Sequence, residues 1–245
     1  MRPARGAPSP AGDHRAINLH LWILRPFRSY SGYRRATAIV PALQGSCPLQ
    51  TVWNFITDFG DTAVTLPLAA LMMVFLLASG WSRTALAFAL ALAGCGIAIG
   101  LVKLALESCG KSILHTDITN PSGHAALSTM VYGSLAAVFG CGVSSERRWI
   151  LFGGFATLVA AIAVSRVVLD NHSLAEVIVG FSIGLTALVL FYRALRADQI
   201  AMTRGHWLAL AAVVLIALMH GSHLPIEDVV RSIVRLIRHR VPRCA

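Results

Sequence analysis

Two short strings in this chain carry groups suited to phosphate chemistry. One is Pro121-Ser122-Gly123-His124, and the other is Ser165-Arg166 followed by His172 and Glu176. Together they hold two imidazoles, a guanidinium, a carboxylate and a proline–serine start for a helix. An imidazole held at one nitrogen by a carboxylate can attack phosphorus through the other, while a second imidazole protonates the departing oxygen. A guanidinium forks onto two phosphate oxygens, and the free N–H groups of a helix N-terminus attract the same anion. His172 and Glu176 stand one helical turn apart and share a face. That spacing is also half of a zinc site, but no HExxH pattern accompanies it, so no metal and no cofactor is expected. Ser122 lacks the GxSxG setting of a hydrolase nucleophile.

The elements that position these groups must lie in a membrane. Hydrophobic residues make up 56% of the 245, and only 13% are charged, where soluble domains carry roughly a quarter. The mean hydropathy is +0.67. A net charge of +10 invites a nucleic-acid reading. However, the basic residues gather in the tails and short connections without aromatic interleaving, as membrane topology requires, so no nucleic-acid partner is expected. The five cysteines show no CxxC spacing and read as small hydrophobes.

The expected architecture is all-α, an integral membrane bundle of about six transmembrane helices. Spans are expected at about 63–80, 84–106, 124–143, 149–169, 174–195 and 206–220. Gly94, Gly96, Gly100, Gly153 and Gly154 suggest close packing between them. Residues 1–50 read as a basic, poorly ordered tail, or as the product of a wrongly chosen start codon, with no signal-peptide pattern. The membrane domain covers 51–222, and Val52 to Asp61 reads as a short interfacial helix ahead of the first span. In the 223–245 tail, Arg231, Arg235 and Arg238 recur at helical spacing beside Ile233, Leu236 and Ile237. That pattern fits either a helix on an anionic lipid surface or an ordinary solvated one.

With the spans alternating in direction, the connections 107–123 and 170–173 fall on one membrane face. Ser122 then caps the third span, Arg166 ends the fourth and His172 opens the fifth. Isolated histidines at span ends, such as His206, His220 and His223, read as interfacial. His115 and Asp117, in the connection on the active face, read as solvated loop residues.

The paired strings resemble the second and third signature motifs of the type 2 phosphatidic acid phosphatase (PAP2) superfamily, and the resemblance covers about residues 60–195. It implies that His172 is the nucleophile forming a phosphohistidine and that His124 is the general acid. It further implies that Ser122, the Gly123 N–H and Arg166 cradle the phosphate, and that Glu176 orients His172. The family usually has aspartate where this chain has Glu176, which retains the charge with one more methylene. Its first motif runs Lys, six residues, Arg-Pro. Here Lys103 is in place, but Gly110 and Lys111 occupy the Arg-Pro positions. Lys111 reads first as a plain loop charge and second as a shifted phosphate-binding cation without the bidentate fork. Lys103 has a bland reading as well, snorkelling to the interface beside Glu107.

Short-loop charge bears on orientation. The active face has Lys111 and little else, whereas the opposite face has Arg83, Arg147, Arg148, Arg193, Arg196 and Arg204. The positive-inside rule therefore places the site outside the cytoplasm, in the periplasm of a bacterial cytoplasmic membrane, although the basic tails argue the other way. The resulting expectation is a membrane phosphatase acting on a lipid phosphate monoester or pyrophosphate. The alternatives are a non-catalytic relative that binds phospholipid, a transporter, or a haloperoxidase. The sequence gives no oligomeric state.

Overall fold

The computed structural model describes residues 48–113, 118, 120–198 and 205–222, with backbone alone at 107–113. Most of the N-terminal tail, the C-terminal tail, His115, Asp117 and Arg204 lie outside the described residues. Among those described, every regular element is a helix. These are α1 (Pro48–Asp58), α2 (Thr62–Ala78), α3 (Ser82–Ile113), α4 (Gly123–Phe139), α5 (Ser145–Val168), α6 (Leu174–Ala197) and α7 (Gly205–Met219). The chain is an all-α protein. Among the described residues, four stretches are long and apolar enough to cross a membrane: Pro48–Ala78, Ser82–Leu106, Ser145–Val168 and Leu174–Ala197.

Three of the expected spans fall on helices shorter than the ~20 residues that cross hydrocarbon alone: α2, at 17 residues, is extended by α1 into one apolar stretch, whereas α4 and α7 have no such extension. Helix α7 has 15 residues and α4 has 17. The latter stops at Phe139 instead of reaching 143, because the chain turns at Gly140 and at Gly142, which has φ 78°. Helix α4 tolerates this length because protein surrounds it: it packs against α2, α3, α5 and α6. Its residues are accordingly small or apolar. Its hydroxyls turn inward, Ser128 donating to the His124 carbonyl at 2.5 Å and Thr129 to that of Ala125 at 2.6 Å. Such back-bonding satisfies a hydroxyl without water.

Close approach is set by glycines other than those the sequence suggested. A Cβ at Gly180 would lie 2.2 Å from the Ser122 carbonyl oxygen, and one at Gly184 would lie 2.3 Å from that of Ala126. These two glycines, one turn apart on α6, let the start of α4 press against the α6 backbone. By contrast, a Cβ at Gly94, Gly96, Gly100, Gly153 or Gly154 would meet nothing within 4 Å. Among the described residues, those glycines mediate no packing. Farther along the α3–α6 seam, Phe88 and Phe191 meet edge to face at 5.4 Å.

A break separates α1 from α2. A Cβ at Gly60 would meet Ile162 Cγ2 at 2.6 Å, so only glycine lets the chain turn against α5 there. The Asp61 side chain then caps α2 by accepting from the Ala63 N–H at 2.8 Å. The expected interfacial helix is thus α1, which packs on α5. Helix α3 runs on through Ile113, so 107–113 is helical and not the start of a loop.

Candidate active site

The functional strings converge because the chain turns tightly at the α5–α6 junction. The Asp170 N–H bonds the Val167 carbonyl and the Asn171 N–H bonds that of Arg166, both at 3.1 Å. With Asp170 at φ 54°, this is the left-handed exit of a Schellman motif, held here by an aspartate. The His172 N–H also donates to the Arg166 carbonyl, at 3.1 Å. The turn fixes the nucleophile candidate and the guanidinium relative to each other through backbone alone.

Helix α6 then begins with a capping box, in which Ser173 Oγ accepts from the Glu176 N–H at 3.3 Å and Glu176 Oε2 accepts from the Ser173 N–H at 3.1 Å. That box aims the carboxylate. Its Oε2 lies 3.2 Å from His172 Nδ1, and its Oε1 accepts from the Asn120 N–H at 2.8 Å. The Ser122 N–H donates to the Glu176 carbonyl oxygen at 3.1 Å. The Pro121-Ser122-Gly123-His124 string is therefore fastened to the first turn of α6. Both His172 and Glu176 are buried, at 8% and 7% exposure.

Ser122 caps α4, its Oγ accepting from the Ala125 N–H at 3.3 Å, which leaves the hydroxyl proton to serve as a donor. Among the described residues, a Cβ on Gly123 would meet nothing within 4 Å, which leaves room beside the helix N-terminus. His124, one residue into α4, is buried with Nε2 3.8 Å from Asp61 Oδ2. Arg166 is also buried and donates from Nη1 to Thr57 Oγ1 at 3.1 Å.

His124, His172, Glu176, Ser122, Gly123 and Arg166 are thus assembled at one end of the bundle by α4, α5 and α6. Lys103 is buried in α3, which packs on both α4 and α6. The backbone of Lys111 continues α3, and its side chain lies outside the described residues. Among the described residues, no three His, Cys, Asp or Glu side chains group as a metal site.

Sequence reasoning missed two contributors, Thr57 and Asp61. Both flank the Gly60 break, Thr57 turned toward Arg166 and Asp61 toward His124. The available signal was a carboxylate and a glycine side by side at the mouth of an apolar span, where a charge needs a partner.

Chemically, the cluster offers an imidazole oriented by a carboxylate, a second imidazole beside another carboxylate, a buried guanidinium, and a helix N-terminus. These are the groups an in-line displacement at a tetrahedral oxyanion requires. A family model described as the PAP2 superfamily matches residues 85–200. A Klebsiella pneumoniae protein described as an "Uncharacterized 22.5 kDa protein in cps region" is 32% identical over 190 residues, covering 74% of this chain and 89% of that protein. No solved structure matches.

Proposed function

Because this chain belongs to the PAP2 superfamily, whose members are generally phosphatases or phosphoesterases, we propose that it is a membrane phosphatase hydrolysing a phosphate monoester or pyrophosphate on a lipid. The observation that carries this reading is the His172 Nδ1–Glu176 Oε2 contact of 3.2 Å, which holds one ring nitrogen and commits the other to attack.

His172 Nε2 attacks phosphorus in line, forming a P–N bond as the bond to the lipid oxygen breaks. Glu176 stabilises the positive charge that develops on the ring. Arg166 takes the growing charge of the equatorial oxygens, assisted by the Ser122 hydroxyl, the N-terminus of α4 and Lys103. His124 gives its proton to the departing oxygen, and Asp61 stabilises that imidazole while it is charged. Water then attacks the phosphohistidine, His124 takes its proton, and phosphate leaves with His172 restored.

The lipid part of the reading is supported by a mainly apolar groove of about 590 Å³ between α4, α5 and α7, which runs from Phe59 to His206. Phe59 adjoins Gly60, where a Cβ would lie 3.5 Å from the His124 ring. A tail in that groove would leave its phosphate near the imidazoles. The short-loop arginines favour a site outside the cytoplasm.

The Gly110-Lys111 departure from the first motif favours one rival, a relative that binds phospholipid without cleaving it. Purified protein should be assayed for phosphate release from undecaprenyl pyrophosphate, phosphatidylglycerol phosphate, phosphatidic acid and lipid A. Turnover of at least one, abolished in a folded His172→Ala variant, is expected. Binding without turnover would favour the rival.

A further inference from the structure

At the end of the bundle opposite His172, two arginines line a cavity that the hydrolytic chemistry does not use. Arg148, in the first turns of α5, and Arg196, in the last turn of α6, share a cavity of about 320 Å³ with Cys141, Phe152 and Tyr192. A second cavity of about 540 Å³ uses the same arginines, Phe152 and Tyr192, and continues along Leu188, Val189 and Trp149. A cationic recess therefore opens into an apolar channel between α5 and α6.

The recess is built on its Arg148 side, while Arg196 is exposed at its rim. Arg148 Nε is buried and has no hydrogen-bond partner among the described residues. Its Nη2 makes a long 3.4 Å contact to the Val143 carbonyl. Arg196 lies over the Tyr192 ring at 5.9 Å and donates to its hydroxyl at 3.3 Å. Among the described residues, neither guanidinium pairs with a carboxylate. The nearby acids are otherwise placed: Asp198 accepts from Thr84, and Glu146 is exposed in the first turn of α5. Burial raises the pKa of the Cys141 thiol, and the two arginines offset part of that rise.

The positive-inside rule accounts for arginines on this side of the membrane. It does not account for one turned inward with a buried donor left over, since such a group costs free energy unless something accepts from it. The matching ligand must present anionic oxygens to two guanidinium groups and an apolar chain to Trp149, Leu188 and Val189. Trp149 is 74% exposed, as an interfacial anchor at the headgroup level would be.

We propose that Arg148, Arg196 and Tyr192 form a binding site for the phosphodiester headgroup of an anionic glycerophospholipid, with one acyl chain in the α5–α6 channel. The site lies a bundle's length from His172 and stands whether or not the hydrolase reading holds.

The test uses the full-length protein in detergent, titrated with dioctanoyl phosphatidylglycerol, dioctanoyl phosphatidylcholine and inorganic phosphate, with bound lipid read by native mass spectrometry. Phosphatidylglycerol should saturate one site at least about tenfold more tightly than phosphatidylcholine. Arg148→Gln and Arg196→Gln should each weaken it about tenfold, the value of one lost charge-assisted bond, with hydrolysis unchanged. Equal affinity for the two lipids, or arginine variants that bind normally, would overturn the site. Inorganic phosphate binding as tightly as phosphatidylglycerol would overturn the lipid assignment. Should the arginine variants fail to fold, quenching of Trp149 by bromine-tailed lipids decides with the arginines intact, Trp149→Phe supplying the background. Stronger quenching by phosphatidylglycerol supports the site, and equal quenching overturns it.

Discussion

Replacing Glu176 by glutamine keeps the side chain's shape and removes its charge, so its effect follows from three contacts. The carboxylate faces His172 Nδ1 at 3.2 Å, the Ser173 N–H at 3.1 Å and the Asn120 N–H at 2.8 Å. An amide has one acceptor oxygen. If that oxygen serves His172 and Ser173, the NH₂ confronts the Asn120 N–H; if it serves Asn120, the NH₂ confronts the other two. At least one charge-assisted bond of about 1.5–3 kcal/mol is lost, and two in the second orientation. The charge opposite the imidazole is lost as well. At an effective dielectric of about 20, a full charge pair at 3.2 Å is worth roughly 5 kcal/mol. A ring half-charged in the transition state would forfeit about half of that. Because the lost bond is shared between ground and transition states it cancels from kcat, which leaves about 2.6 kcal/mol, a fall in kcat of ~10²-fold. The assay is phosphate release from the best lipid substrate, with Tm recorded in parallel. Ser173→Ala separates catalysis from folding: it removes the N-cap at about 1 kcal/mol and spares the Glu176–His172 contact, so Tm should fall by a few degrees while kcat stays within about threefold. If Glu176→Gln kept kcat within about threefold of the parent with Tm unchanged, Glu176 would not be acting on His172.

Other consequences follow from the same geometry. Asp61→Asn should lower kcat about tenfold on a lipid phosphate and much less on p-nitrophenyl phosphate, whose leaving group needs no proton; equal effects on both would remove Asp61 from the proton-transfer step. Thr57→Val takes a partner from Arg166 Nη1 and should raise KM by about tenfold with a smaller change in kcat, which steady-state kinetics would read. Gly180→Ala forces a Cβ to 2.2 Å from the Ser122 carbonyl, so Tm and activity should collapse together. Gly94→Ala, in open space, should leave Tm equal or raised, as alanine is the better helix former by up to about 1 kcal/mol.

The long apolar segments were legible in the sequence because hydrocarbon demands a continuous run of apolar side chains, and α3, α5 and α6 supply one. The coming together of Ser122, Arg166, His172 and Glu176 was legible too, since alternating spans put their connections on one face. Helix α4 was read as too long because nothing in its composition says that protein, and not lipid, surrounds it. The packing glycines were misassigned for a related reason: Gly94 and Gly180 look alike in sequence, and only the Ser122 carbonyl distinguishes them. Thr57 and Asp61 were missed because α1 read as an interfacial helix ahead of the span. Their role depends on a break at Gly60 that is dictated by Ile162 on a distant helix.

In the proposed mechanism His172 becomes phosphorylated during turnover. The direct measurement is to mix His124→Ala protein, impaired in proton transfer, with lipid phosphate, quench in alkali and map phosphate on the peptides by mass spectrometry. Phosphohistidine is expected at His172, absent when His172 is also replaced by alanine. Phosphate on another residue, or turnover by the unmodified protein with no phosphoenzyme detected at any quench time, would contradict that mechanism.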